Sequence, residues 1–254
     1  MLFPFALITN NSFKTETEYY ANGPYSLFKS LNLDALKKVW NLMTYSIKLR
    51  NSIVISLSVA LLAIGISLLT AFALGIGKVK GKSFFIVFFL MAFLLPQEVL
   101  VYPLYYLFKL VGLYDTRLSV IIIISVLYSS FGTYFLSSVF SAFNRELIEA
   151  AELDGCNKLQ LLFRIIVPLS MPSLSILFVF FFIWSWNEFF IPLIFLVSND
   201  NQTITIAMAM AQDQHGTTVT SQSAAALIGV IPCIIFFVLF QRTLTKGITL
   251  GSIK

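Results

Sequence analysis

Two carboxylates stand alone in long apolar stretches of this 254-residue chain, Glu98 and Glu188. A charge at mid-membrane depth costs about 2.5–3.5 kcal/mol on insertion scales, so such a residue faces a partner or a water-filled cavity. Both have helix-breaking neighbours. Pro192 follows Glu188 by four residues, and a proline ring clashes with the carbonyl four residues earlier. A break there frees a backbone acceptor beside a carboxylate and the Asn187 amide. Pro96 and Pro103 bracket Gln97 and Glu98 in the same way. Irregular backbone at membrane depth persists only where protein or water covers it. Gln97, Glu98, Trp186, Asn187 and Glu188 are therefore candidates for a solute path or its gate. The alternative is that they pair with a neighbouring helix or sit near the headgroups. Trp184 and Trp186 suit the apolar faces of sugar rings, and equally suit helix packing or an interfacial belt.

A second cluster lies in a polar stretch, Asn144-Arg-Glu-Leu-Ile-Glu-Ala-Ala-Glu-Leu-Asp-Gly155. Asn144 suits a helix cap, and Glu146 falls in the first turn, where the helix dipole favours negative charge. Leu147, Ala150, Ala151 and Asp154 recur on one face. Gly155 permits the positive φ that ends a helix. A second amphipathic helix follows, with Leu159, Leu162, Phe163 and Ile166 on one side, and Pro168 breaks it. Small alanines let a partner approach the backbone, and rim carboxylates such as Glu149 offer partners to Arg or Lys. That is what a helix needs to fit a groove on another protein. A plain amphipathic linker would look similar.

Other chemistry is thin. His215 is the only histidine, and without paired Cys or clustered acids it makes no metal site. There is no Ser/His/Asp set and no GxxxxGK[ST], so the chain has no nucleotide site of the usual kind. Cys156 and Cys233 lie in different settings, and a bridge is not expected. The net charge of +5 comes from scattered residues rather than one basic tract, so no nucleic acid partner is expected.

The elements that must position these residues are membrane helices. Apolar residues make up 58% of the chain and charged ones 11%, less than half the usual charged share of about 25%. Five apolar runs, 52–74, 84–108, 118–140, 173–197 and 224–240, match the roughly 17–25 residues of a membrane helix. They exclude a soluble domain, a disordered chain and a disulfide scaffold. Their lack of alternation excludes an outer-membrane barrel. Residues 1–9 are apolar but rise only about 13 Å as a helix, too short to cross. Leu33, Leu36, Trp40, Met43 and Ile47 recur at helical spacing and predict an amphipathic helix at the surface. Ser67, Ala71 and Gly75, like Ala225 and Gly229, form small-residue stripes for close packing, within the subunit or against a second one.

Lys and Arg excess stays cytoplasmic. Arg242, Lys246 and Lys254 in the tail and Lys78, Lys80 and Lys82 in a short turn place both inside. Ser198–Ser223, with no Lys or Arg, goes outside. Parity puts 109–117 outside and 141–172 inside. Six basic residues between Asn10 and Asn51 run against the rule.

Glu149-Ala150-Ala151, Asp154-Gly155, Ile166 and Pro168 resemble the EAA loop of ATP-binding cassette importer permeases. Leu95-Pro96, Pro103-Leu104, Trp186-Asn187-Glu188-Phe189, Pro192-Leu193 and the tail are similar to the carbohydrate-uptake branch, in particular to the smaller permease subunits of maltose-type importers. The resemblance implies an all-α polytopic bundle of the type I importer kind, with five complete spans and a short N-terminal remnant of a sixth. Residues 1–51 would hold that remnant and an external amphipathic segment, and residues 52–254 the permease domain with coupling loop 141–172. FPFALITNNSFK resembles the end of a first span whose beginning is absent or rebuilt. Asn144 stands where the family often has proline. The resemblance further implies a non-enzymatic subunit of a bacterial cytoplasmic membrane, with its C-terminus inside. Expected partners are membrane lipid, a second permease, two ATPase subunits (identical or not) that bind the ATP and Mg, and an extracellular sugar-binding protein. The chain itself would bind no cofactor. Glu149, Ala150, Ala151, Asp154, Gly155 and Pro168 would couple to the ATPase. Gln212, Asp213, Gln214, His215, Gly216 and Thr217 would touch the binding protein. Rival readings are the same importer class for glycerol phosphate or another solute, and an ion-coupled secondary transporter, which would need its own ion site and repeats.

Overall fold

A computed structural model describes residues 3–213 and 218–251, and their side chains except at 42, 211–213 and 242–251. Among the described residues there is no strand. The helices are α1 (Phe3–Ser12), α2 (Glu16–Asn22), α3 (Asp34–Leu42), α4 (Tyr45–Gly75), α5 (Lys82–Leu94), α6 (Gln97–Leu110), α7 (Arg117–Ser141), α8 (Arg145–Leu153), α9 (Lys158–Gln160), α10 (Val167–Leu169), α11 (Met171–Asn187), α12 (Phe190–Phe195), α13 (Ile204–Asp213) and α14 (Val219–Gly251). A π-helical turn, Leu161–Ile166, joins α9 to α10.

Three described helices are long and apolar enough to cross a membrane: α4, α7 and the Val219–Gln241 part of α14. Two bent pairs bring the number to at most five. The apolar run 84–108 is one of them. Leu95 precedes a proline and takes an extended φ/ψ of −64°/130°, as residues before proline do. Pro96 then caps α6, and the chain turns by 90°. Pro103, by contrast, sits inside α6 without ending it. In the second pair, Lys158–Leu169 meets Met171–Asn187 at 78°. The run 173–197 is also interrupted, because α11 stops at Asn187 and α12 starts at Phe190.

The contacts form two compact units. One comprises Ser56–Leu113, Leu118–Ser185 and Phe240–Lys254. Its core is the approach of α4 to α7. Ser67, fully buried, donates its hydroxyl to the Ala63 and Ser129 carbonyls at 2.6 and 3.1 Å. A Cβ on Gly132 would overlap that hydroxyl, and one on Gly75 would come within 2.6 Å of the Phe140 Cβ. The stripe of Ser67, Ala71 and Gly75 thus serves packing within the subunit. Beside it, Phe93, Tyr128, Phe131, Phe181 and Trp184 form an aromatic cluster, with Phe131 and Trp184 ring centres 5.3 Å apart.

The other unit comprises Met1–Ile55, Tyr114–Arg117 and Trp186–Leu239. Thr15 caps α2 by accepting the Glu18 N–H at 3.1 Å. Lys14 is buried, and its ammonium donates to Asn11 Oδ1, Gly23 O and Pro24 O at 3.0, 3.0 and 3.2 Å. The expected amphipathic helix stops at Leu42, where Met43 and Thr44 (φ 44°) separate α3 from α4. It buries Ala35 and Val39, while Leu33, Trp40 and Ile47 of the expected face are exposed. In α14, a Cβ on Gly229 would press on Met208 of α13, so the Ala225–Gly229 stripe also packs internally.

Candidate functional site

The polar stretch after α7 folds as its caps demand. Asn144 Oδ1 accepts the Glu146 N–H at 3.1 Å and starts α8. The helix ends at Leu153. Gly155 N donates to Glu152 O at 3.1 Å, and Cys156 N to Ala151 O at 3.0 Å. This paired pattern closes a helix on a left-handed residue, and Gly155 has φ 83°. A Cβ there would meet nothing within 4 Å, so the demand for glycine comes from the backbone alone. Two residues on, Asn157 and Gln160 cap each other reciprocally at 2.9 Å. Their spacing is the sequence signature of a capping box, which the sequence reading passed over.

Only Ala151 of α8 is buried. Of the face expected to act together, Leu147 is 41% exposed, and Ala150 and Asp154 are exposed. Glu146, Glu149 and Glu152 are exposed, and Leu153 is 89% exposed. The helix is therefore anchored through one alanine and presents carboxylates around an uncovered leucine. Behind it, the expected face Leu159, Leu162, Phe163 and Ile166 divides. Leu161, Leu162 and Ile166 are buried, whereas Leu159 and Phe163 are exposed. A π turn runs through this stretch, Leu161–Ile166, with the wider i→i+5 repeat. Pro168 lies within α10, exposed, and the chain bends after it at Ser170.

Glu188 is held by its own backbone neighbourhood. Its Oε1 accepts the N–H groups of Phe190 and Ile191 at 3.0 and 3.3 Å, capping α12. The carbonyl that Pro192 denies to the helix accepts the Thr205 hydroxyl at 3.0 Å. Trp186 is buried and hydrogen-bonds Cys233, and Asn187 is exposed. Trp184 stacks on Phe93 and Phe180. Gln97 and Glu98 belong to the other unit, at the first turn of α6, where Gln97 is half-buried and Glu98 exposed.

The stretch 198–223 is more structured than a loop. Asp115 (φ 57°) accepts the Ser198 N–H at 3.0 Å and the Ser198 hydroxyl, and its carbonyl accepts Asn201 Nδ2 at 2.6 Å. Burial pushes the Asp115 carboxyl up, but the bonds from Ser198 and Asn201 outweigh it, and the net shift is downward. Lys48 donates to Asn199 Oδ1 at 2.6 Å and to its carbonyl. Asn51 Nδ2 donates to the Asp200 and Gln202 carbonyls, and Arg117 to Asn51 Oδ1. Ile204 N reaches Ser52 Oγ at 3.0 Å. Gln212 and Asp213 end α13; Gln214, His215, Gly216 and Thr217 lie outside the described residues.

Residues 49–250 match the family model described as the binding-protein-dependent transport system inner membrane component. The chain is 31% identical to the inner membrane ABC transporter permease protein YcjP of Escherichia coli (strain K12), covering 100% of this chain and 91% of that one. It is 30% identical to the arabinooligosaccharides transport system permease protein AraQ of Halalkalibacterium halodurans, over 100% and 91%. It is also 30% identical to AmyC of Thermoanaerobacterium thermosulfurigenes, a probable starch degradation products transport system permease, over 99% and 91%. A crystal structure of a bacterial ABC transporter importing alginate superposes with a TM-score of 0.84 at 18% identity, over 95% of this chain and 90% of that one, which shows the shared fold. With a family model spanning most of the chain and full-length relatives of one kind, the protein belongs to the binding-protein-dependent inner membrane components and is a multi-pass ABC transporter permease subunit.

Proposed function

We propose that this chain forms half of the translocation path of an importer for an oligosaccharide or related sugar. The observation that carries this reading is α8: capped at both ends, buried through Ala151 alone, and presenting Glu149, Asp154 and a bare Leu153. Covering one leucine side chain is worth about 1.5–3 kcal/mol, so a groove that accepts this helix gains affinity from Leu153 and orientation from the carboxylates. The groove belongs to an ATPase subunit, and the EAA-type sequence Glu149-Ala150-Ala151 with Asp154, Gly155 and Pro168 is the coupling element. The sugar reading draws on relatives whose names specify arabinooligosaccharides and starch degradation products.

The assembly comprises a second permease, two ATPase subunits that bind the ATP and Mg, and an extracellular sugar-binding protein. Five spans are read as α4, α5 with α6, α7, the bent pair through α11, and α14. Residues 52–254 form the permease domain around loop 141–172. The C-terminus and α8 face the cytoplasm, and 198–223 faces outward. The hydrogen bonds from Asp115, Lys48 and Asn51 hold the start of that outer segment, and Gln212–Thr217 touches the binding protein. Gln97 and Glu98 in one unit, and Trp186, Asn187 and Glu188 in the other, are each assigned to the path or its gate, and the break between α11 and α12 at Glu188 is the point of movement. The deciding measurement is uptake by the purified, reconstituted complex across a sugar panel, with ATP hydrolysis recorded. Sugar-stimulated hydrolysis with uptake is expected; uptake driven by an ion gradient without ATP overturns the reading. Deleting Gln214–Thr217 is expected to lower binding-protein stimulation of ATP hydrolysis, and full stimulation would reduce that segment to a connector.

A further inference from the structure

α6 carries a line of polar and aromatic side chains that its own unit leaves open. Glu98, Tyr102 and Tyr106 follow one another at four-residue intervals, and Tyr105 and Lys109 continue the same face. From Glu98 to Lys109 the line runs about 16 Å at the helical rise of 1.5 Å per residue. Tyr102 is 70% exposed and Tyr106 56%. Their rings meet edge to face at 4.9 Å, and their hydroxyls lie 3.2 Å apart. Lys109 donates to the Tyr105 hydroxyl at 3.1 Å and stands over that ring.

Neither acyl chains nor a close helix contact explains this face. A carboxylate and an ammonium against acyl chains are costly. Helix pairs in membranes approach through small residues, and three phenols beside a carboxylate are the opposite. A sugar unit has an apolar ring face and an equatorial rim of hydroxyls. Phenol rings offer amphipathic, rigid contact area with a polar tip, and a carboxylate accepts two hydroxyl protons at once. The 90° turn at Pro96 sets Glu98 at a helix start, where the first N–H groups lack intrahelical acceptors.

We propose that the Glu98–Tyr102–Tyr106–Lys109 line of α6 is a contact surface for sugar units of the transported carbohydrate. It rests on the carbohydrate reading above and adds the residues that would meet the solute.

The test uses the complete importer in proteoliposomes, with maltotriose, arabinotriose and diacetylchitobiose as probes. Replacing both Tyr102 and Tyr106 by Ala is expected to raise KM for the transported probe about fivefold or more, the scale of lost aromatic contacts, with a larger effect on the longer sugar. Tyr102→Phe with Tyr106→Phe keeps the rings and is expected to give a smaller rise. Leu107→Ala, half a turn from the line, is expected to leave KM unchanged. Wild type that takes up no probe ends the carbohydrate reading and this proposal together. Wild-type uptake with an unchanged KM in the alanine pair, or the same shift in Leu107→Ala, overturns the proposal alone. If the alanine pair fails to assemble on size exclusion, the phenylalanine pair decides, and an unchanged KM there overturns it. A KM that follows lipid headgroup composition rather than sugar length assigns the tyrosines to the bilayer interface and also overturns it.

Discussion

Replacing Gly155 isolates backbone conformation from bulk at the turn that ends α8. The residue sits at φ 83° with open space where a Cβ would go. A non-glycine L-residue in the left-handed region pays about 1–2 kcal/mol, Asn less because its side chain bonds locally, and a β-branched residue more. At 1.4 kcal/mol per factor of ten, a cost of about 2 kcal/mol shifts the closed-to-open ratio roughly 30-fold, so a turn balanced against an open form of equal energy falls from about one half closed to about 4%, a loss of roughly 14-fold. The apparent affinity of a partner for α8 falls by the same fraction. The two bonds at stake are Gly155 N to Glu152 O and Cys156 N to Ala151 O. Sugar-stimulated ATP hydrolysis by the reconstituted complex, titrated with ATPase subunit, is expected to rank Gly, then Asn, then Ala, then Val. Asn is bulkier than Ala, so a steric cause predicts those two in the reverse order. Reversal of that pair, or wild-type stimulation in Gly155→Val, refutes the reasoning.

Gly75→Ala is expected to lower the thermal stability of the purified complex, since its Cβ would lie 2.6 Å from that of Phe140 and overpacking costs about 1–3 kcal/mol. Gly65→Ala, which meets nothing within 4 Å, is the control expected to leave the melting temperature unchanged; equal losses in both would remove the packing explanation. The depressed carboxyl of Asp115 stabilises the tie to Ser198 and Asn201 above its usual value of 3.8 and loses that contribution as pH falls through the lower folded value. Hydrogen exchange at 198–204 is thus expected to stay slow at pH 6 and to accelerate in the acid range in wild type, with Asp115→Asn fast at both; identical profiles would remove the carboxylate from the account. Single cysteines at Thr217 and Ser252, in a chain lacking Cys156 and Cys233, are expected to label from opposite sides of the membrane, and same-side labelling overturns the orientation.

Much of the helix inventory was legible because apolar runs and caps are local properties. Asn144 and Gly155 act as their types and spacing imply. Pro96 breaks its run, though nothing local sets the turn at 90°. Boundaries failed where polar residues are satisfied by distant partners. The run that begins at Ser52 belongs to a helix starting at Tyr45, because Lys48 is buried against Asn199 and hydropathy counts every lysine as solvated. Gln202, Thr203, Thr220, Ser221 and Ser223 keep 198–223 out of the apolar runs because they are polar, yet all five are buried and flank or lie in helices. The π turn behind α8 has no composition signal in Leu-Leu-Phe-Arg-Ile-Ile.

The two isolated carboxylates, alike in sequence, have different physical situations. Glu188 spends an oxygen on the N–H groups of α12, and the carbonyl freed by Pro192 takes the Thr205 hydroxyl. A charge so used stabilises a break in the helix, and movement there has to exchange these bonds for others. Glu98 stands exposed at the start of α6, with the tyrosine line beyond it. The bonds around Glu188 identify a break whose opening has a definite cost, while the side chains beyond Glu98 offer the rings and hydroxyls that a polyhydroxylated solute needs. If both serve transport, neutralising Glu188 should act on the rate of opening and so on kcat, and neutralising Glu98 on KM.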